Sequence, residues 1–393
     1  MKILFLLTSG LLFLSFGLCQ KESKCNSSSL DCQGNTSHII KTFRGTPQDQ
    51  HEEIPLSVID SPTKTSHNKQ KQNKDSAGKS NASSLKVNNS TVEYLTSSLS
   101  TKLIPAVYLA VVLVGVPSNA LTLWMLFFKM RSVRTAIFYT NLAISDFLFC
   151  VMLPFKITYH LNGNNWILGE AMCRIMTVVF YGNMYCSILL LTCISISRYV
   201  AIVHPFTYRT LPKQHLTTFA CAMIWTAVFL YMLPLTLMKQ TYYLDQLNII
   251  TCHDVHSDCE SASPFQFYYF ISLAVFGFVI PLCIVIFCYV SIIRTLKAYN
   301  QKWLWYIKAS FLILSIFAIC YTPSNITLIA HHVNYYRNAR DSLYFFYLIA
   351  LSLSSLNSCL DPLLYFFTSK VKRKTSAHHT TAKKAQDGRM LYP

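Results

Sequence analysis

The chain has 393 residues, enough for two or three soluble domains, yet 52% of them are hydrophobic and only 13% charged. That is about half the charged share of an ordinary globular protein, and with 11 glycines and 14 prolines it excludes collagen-like and low-complexity architectures. The formal charge of +17 would suit nucleic acid on a single face, but the lysines and arginines flank apolar stretches, which excludes a nucleic-acid partner and points to anionic membrane lipid. Fourteen cysteines without a CxxC pair suit neither a disulfide scaffold nor a redox or zinc motif.

Lys2, the apolar run from Ile3 to Leu14, and the small residues Gly17 and Cys19 form the pattern of a signal peptide over residues 1–19, cleaved after Cys19. An uncleaved anchor is the alternative, although the run is short of the roughly 20 apolar residues that a span needs. From Gln20 to about Thr101 the chain is rich in Ser, Thr, Asn, Lys and Gln. A segment so poor in apolar surface cannot offset its ordering entropy and is expected to be largely disordered. It holds five glycosylation sequons, at Asn26, Asn35, Asn81, Asn88 and Asn89, which suit an exposed extracellular arm. Adjacent Asn88 and Asn89 are not expected to be occupied together.

Seven apolar stretches of helical length follow, near 103–128, 137–160, 172–203, 217–238, 265–290, 304–331 and 343–367. Prolines inside them are tolerated in spanning helices, and the alternation of a membrane β-barrel is missing. The expected fold is therefore an all-α membrane protein, a seven-helix transmembrane bundle over 103–370 with a disordered N-terminal arm and a tail at 371–393. Cations such as Arg131, Arg134, Arg209, Lys213, Arg294 and Lys297, with seven more after Ser369, far outnumber Lys239, Arg337 and Arg340 on the other side. The N-terminus is thus outside and the C-terminus inside.

Polar residues within spans are costly and informative. Asn119 lies in the first stretch and Asp146 in the second, within NLAISD; SRYVAIVHP ends the third with Arg198 and Tyr199; Trp225 lies in the fourth. The sixth carries FAICYTP and the seventh NSCLDPLLY, with Asn357, Asp361, Pro362 and Tyr365. Singly, each is an ordinary helix-packing contact. Together and in this order they resemble the rhodopsin-like G-protein-coupled receptors over residues 103–370. The resemblance implies that Asp146, Ser187, Asn357 and Asp361 form a midplane cluster, which in many members holds a sodium ion; two acids in a low-dielectric bundle must be protonated or share a cation. It implies that Arg198, Tyr199, Asp361, Pro362 and Tyr365 form the switch toward a heterotrimeric G protein. Ser197 replaces the usual acid before the arginine, leaving either raised basal activity or poor coupling. Cys173 and Cys252 match the family's extracellular disulfide, with Cys259 as a competing partner, and Cys25 and Cys32 could close a small loop in the arm. The remaining cysteines suit apolar packing.

In the arm, Lys41 precedes Thr42, Phe43, Arg44, Gly45, Thr46 and Pro47, and further on come His51, Glu52, Glu53, Ile54 and Pro55; the second outer loop reads TCHDV. These features resemble the protease-activated receptors of the thrombin-receptor family. The resemblance implies cleavage by thrombin or a similar serine protease between Lys41 and Thr42. It implies release of residues 20–41, a tethered ligand over Thr42–Pro47, and docking of His51–Ile54 on a basic exosite of the protease. The span from Lys41 to Glu53 reaches at most about 40 Å when extended, so both contacts can form at once and the second becomes intramolecular. Outside this resemblance an acidic pair in such an arm merely solvates it. Asp254 is the expected partner of the new Thr42 amine or of Arg44, with Glu260, Tyr344 and Tyr347 as further ligand-binding candidates; a solvated loop acid is the alternative for Asp254. Lysine rather than arginine before the cut, and Ile40 rather than proline, imply a lowered cleavage rate. The stretch after the seventh span has no cysteine for a palmitoyl anchor. With Ser197 this leaves open a weak signaller that presents the protease to a sibling receptor, including as a dimer. No GxSxG, HExxH or phosphate-binding glycine loop supports an enzyme, His331-His332 and His378-His379 lack further zinc ligands, and a transporter would show inverted repeats.

Overall fold

The computed structural model describes residues 43–47, 84–87, 89–129, 133–210, 213–257, 264–298, 304–338 and 344–366. Among them seven helices are long and apolar enough to cross a membrane: Leu99–Phe128, Ala136–Leu161, Gly169–Val203, Gln214–Leu237, Tyr268–Lys297, Ser310–Ala330 and Phe346–Phe366. We number these the first to seventh spans. The third is the central one, with Cys186, Ile188, Leu190 and Leu191 wholly enclosed. Leu113, Phe127, Phe128, Phe287 and Phe311 are more than half exposed, as expected where a helix meets lipid rather than water.

Two interruptions, one in the fifth span and one in the sixth, have local causes. The chain forms a π-turn at Val275–Val279, just before Pro281, and another at Phe317–Tyr321, just before Pro323. Proline removes a helix donor, and the π-turn shifts the ladder so that the carbonyl of Phe317 accepts the main-chain N–H of Thr322 and, at 2.8 Å, its hydroxyl as well. The first π-turn holds Gly277 against the Tyr185 ring; a Cβ there would lie 2.6 Å from Tyr185 Cδ1, so only glycine lets the fifth span approach the third this closely. Gly115 does the same for the first and second spans, where a Cβ would lie 2.6 Å from Cys150 Sγ.

The arm departs from the expected disorder at its inner end. Strand β2 (Ser84–Val87) is followed by helix α1 (Asn89–Thr96), and the first span begins at Leu99, earlier than the expected residue 103. Val87, Thr91, Tyr94 and Leu95 are buried against the outer end of the bundle, and that burial offsets the ordering entropy that composition alone weighs. The Thr101 hydroxyl donates to the Ser97 carbonyl at 2.9 Å, so these polar residues continue a helix rather than break it.

A five-stranded sheet caps the bundle. β1 is Phe43–Pro47; β3 (Thr241–Leu244) and β4 (Ile249–Cys252) form a hairpin in the second outer loop, and β5 (Val255–Ser257) follows it. The strand order is β4-β3-β2-β1-β5. The hairpin turn ends at Asn248 (φ 52°), and His253 (φ 66°) lies between β4 and β5, which run in the same direction. β1 runs antiparallel to β2 and parallel to β5, and β2 runs parallel to β3. Two stretches of the arm thus complete a sheet begun by the outer loop.

Candidate functional site

The outer end of the bundle is fixed by three devices on the third span. Cys173 is joined to Cys252 by a disulfide. One turn earlier, Glu170 accepts the Gln240 N–H at 2.8 Å, the Thr241 N–H at 2.9 Å, the Thr241 hydroxyl, and the Arg174 Nε–H at 2.7 Å. One carboxylate thereby satisfies two main-chain donors at the start of β3. Trp166, just before the span, donates its main-chain N–H to the Ile250 carbonyl at 2.7 Å and its ring N–H to the Gly169 carbonyl at 2.8 Å.

Under this cap the loop sends two polar residues inward. Asp254 is 6% exposed and accepts the Tyr159 hydroxyl of the second span. His253 Nδ1 lies 2.6 Å from Gln240 Oε1 and its Nε2 lies 3.2 Å from the Tyr181 hydroxyl, which the Tyr347 hydroxyl reaches at 3.2 Å. A cavity of about 40 Å³ opens here, lined among others by Tyr108, Lys156, His160, Tyr181, His253 and Asp254. Lys156 Nζ sits 4.6 Å from the centre of the Tyr159 ring, so the cavity presents one acid and one cation. Burial, reinforced by the nearby Asp254 charge, holds the Tyr94 phenol of α1 well above its ordinary range; it is a neutral hydroxyl at physiological pH.

Deeper, the second, third and seventh spans meet at Asp146. Its Oδ1 accepts Asn183 Nδ2 at 3.0 Å, Ser358 Oγ at 2.9 Å and, longer, Asn357 Nδ2 at 3.5 Å. Asn119 Nδ2 of the first span donates to the carbonyls of Ser358 (2.8 Å) and Gly115 (2.9 Å). Around this knot, Asp146 Oδ2, Ser187 Oγ, Asn119 Oδ1 and both carboxylate oxygens of Asp361 are buried with no hydrogen-bond partner among the described residues. Buried polar atoms are rarely orphaned. A cavity of about 10 Å³ adjoins Asn119, Asp146 and Asp361. Orphaned oxygens of this kind beside a void on that scale fit one water or one small hard cation.

At the inner end Arg198 Nη2 donates to the Tyr139 hydroxyl at 2.6 Å, and Tyr139 packs edge-on against Tyr365 with ring centres 6.2 Å apart. Ser195 Oγ donates to the Tyr289 hydroxyl at 2.9 Å, and Tyr199 OH lies 3.1 Å from His204 Nε2. The second, third, fifth and seventh spans are therefore linked where a cytoplasmic partner would meet them.

The structure brings together Asp146, Ser187, Asn357 and Asp361 at midplane, Arg198 and Tyr365 at the inner end through Tyr139, and Asp254 and Tyr347 under the cap. Phe43–Pro47 lies in the cap sheet. Lys41, Thr42, His51, Glu52, Glu53, Ile54, Glu260, Cys25, Cys32, Cys259, Asn26, Asn35, Asn81 and Asn88 lie outside the described residues, as does the side chain of Tyr344. Asn89 is exposed at the start of α1. Sequence reasoning missed Tyr159, Glu170, Asn183, Gln246 and Ser358. Of these only Glu170, an acid three residues before the disulfide cysteine at a span's outer end, carried a local signal.

The model of the 7 transmembrane receptor (rhodopsin family) matches residues 118–365. The chain is 59% identical to proteinase-activated receptor 3 of Homo sapiens over 97% of its own length and 100% of that protein. It is 59% identical to proteinase-activated receptor 3 of Bos taurus over 95% and 97% of the two chains, and 41% identical to proteinase-activated receptor 2 of Mus musculus over 70% of each. The chain belongs to the rhodopsin family of seven-transmembrane receptors and, within it, to the proteinase-activated receptors. It is a multi-pass plasma-membrane receptor and not an enzyme.

Proposed function

We propose that this proteinase-activated receptor is cut by thrombin, or by a serine protease of like specificity, between Lys41 and Thr42, and that the segment beginning at Thr42 acts as a tethered ligand on the outer end of the bundle. The observation that carries this reading is the parallel register of β1 on β5, with Phe43 opposite Val255. Were that register to continue by one residue, Thr42 would come opposite Asp254. Cleavage gives Thr42 an α-amine with a pKa near about 8, largely cationic at neutral pH. Asp254 is a buried carboxylate beside Tyr159, and in such low-dielectric surroundings a new cation binds far more strongly than in water. Glu260 and Tyr344 are further contacts of the ligand. His51, Glu52, Glu53 and Ile54 supply the second grip of the protease, and the attached ligand acts at high effective concentration.

From Asp254 the change passes to the bundle through the neighbouring His253, whose ring reaches Tyr181 and thereby Tyr347. Tyr181 lies on the third span, which carries Asn183, Ser187 and Arg198; Tyr347 lies on the seventh, which carries Asn357, Asp361, Pro362 and Tyr365. Movement of one span against the other would part Tyr139 from Arg198 and open the inner end, with Tyr199, to a heterotrimeric G protein. Asp146, Asp361, Ser187, Asn119 and Asn357 would hold a sodium ion, which supplies a positive charge between two buried acids. Basic residues of the inner loops would meet anionic lipid.

Ser197 favours a second reading, because the residue before Arg198 cannot be a restraining carboxylate. In it, the chain docks and is cut by the protease but signals weakly, serving a sibling receptor with which it pairs. N-terminal sequencing of surface receptor before and after brief thrombin treatment, with intracellular calcium followed in parallel, separates the two. A new terminus at Thr42 with a calcium rise, lost in Asp254→Asn while cleavage persists, upholds the tethered ligand. Cleavage without a rise upholds the docking role, and no cut at Lys41 removes thrombin from both.

A further inference from the structure

Strands pair through main-chain groups, and the groups that place β1 belong to residues 43–47. Gly45, Thr46 and Pro47 stand opposite Val87, Lys86 and Leu85 of β2, while Phe43, Arg44 and Gly45 stand opposite Val255, His256 and Ser257 of β5. Hydrolysis between Lys41 and Thr42 adds one water across that bond, leaving a carboxylate on Lys41 and an amine on Thr42. It creates and removes no donor or acceptor within residues 43–47, so the capacity of this segment to pair is the same before and after the cut. In the uncut chain described here the pairing is already made. Removing β1 would leave β2 and β5 as two open edges on either side of a strand-wide gap, the arrangement that accepts an extended peptide by strand addition.

We propose that the outer end of this receptor carries a two-walled peptide slot, with β2 of the arm on one side and β5 of the outer loop on the other, and that residues 43–47 fill this slot before any protease acts. The arm wall is itself anchored. The Val87 N–H donates to Gln246 Oε1 at 3.0 Å, Gln246 Nε2 donates to the Val87 carbonyl at 2.9 Å, and Ser84 and Leu85 pair with Tyr243 and Leu244 of β3. Residues 84–87 thus belong to the receptor side of the site although they lie in the arm. The ordering cost of the ligand is met during folding rather than at activation, and the cut alters only the end group one residue from the slot. The meaning of this occupancy rests on the tethered-ligand reading above; the occupancy itself does not.

The test uses full-length receptor on cells, with an epitope after residue 19 and a viral-protease recognition sequence inserted after Ser66. Cysteines are placed at register partners, Arg44→Cys with His256→Cys, and in a second receptor Gly45→Cys with Ser257→Cys. A control pairs Arg44→Cys with Ile249→Cys of β4, at the far edge of the sheet. Without thrombin, the viral protease is expected to release the epitope fragment from the control on a non-reducing gel. Release is expected to be lost in the register pairs and restored by reductant. Slowed amide exchange at residues 44–46 in purified, unsubstituted, uncut receptor provides the same reading without any substitution. Release from both register pairs, or fast exchange at 44–46, overturns the pre-filled slot. Crosslinking that arises only after thrombin overturns it too, while leaving the tethered ligand standing. Crosslinking before thrombin, with no calcium rise after cleavage of the unsubstituted receptor, upholds the slot and removes the ligand reading.

Discussion

The cap and the midplane knot treat polar groups in opposite ways. In the cap, Glu170, Gln240, Gln246 and His253 each have hydrogen-bond partners, several of them main-chain groups. At midplane, two acids share an enclosed space and five of the surrounding oxygens find no partner among the described residues. A satisfied network rigidifies its surroundings, whereas a partly satisfied one is poised for another occupant or another arrangement. The lesson is that satisfied polar contacts in this receptor are concentrated in the outer cap, and unsatisfied ones at midplane, where a rearrangement costs least.

That contrast can be broken most severely at the disulfide. Cys252→Ala releases the outer loop from the third span and should cost about 2–5 kcal/mol, read as a lower melting temperature and loss of surface receptor. Glu170→Gln replaces a carboxylate serving four donors by an amide that brings its own donors into the same place; a loss of about 2 kcal/mol is expected, seen as faster amide exchange at Gln240 and Thr241. Gln246→Ala removes both bonds to Val87 and should cost about 1 kcal/mol, with faster exchange at the Val87 amide and an unchanged bundle. The midplane prediction sharpens the comparison because its effect on folding is the smallest. Asp146→Asn keeps the Oδ1 that Asn183 and Ser358 donate to and removes one of two neighbouring acids. The melting temperature in choline chloride should hardly fall; sodium chloride should raise it in the unaltered receptor and not in the variant. An equal sodium response in both proteins would argue against the midplane ion.

The bundle was legible in the sequence because membrane spanning is a composition signal repeated over 20 or more residues, and because NLAISD, SRYVAIVHP and NSCLDPLLY carry family-specific polar positions. The cap was far less so. Ser84-Leu85-Lys86-Val87 is a four-residue strand inside a polar stretch, and its partners are residues 45–47 and 243–244, so nothing local marks it. Composition weighed the arm as if it were alone, whereas Tyr94 and Leu95 are buried against the bundle. Asn183 and Ser358 are ordinary polar residues in sequence and become part of the knot only when three helices converge on Asp146.

The pairing of Pro47 with Leu85 joins positions 38 residues apart in sequence, so it must meet the entropy of closing the chain between them. Doubling the length of such a connection costs only about 0.6 kcal/mol, so residues can be added to it with the strand pairing kept. Glu52 and Glu53 follow β1 by a few residues in sequence. Were a protease to grip them, as proposed above, it would pull on β1 from its Pro47 end, and the force needed to unzip five residues from two neighbours would set how readily the bond at Lys41 is drawn into an active site.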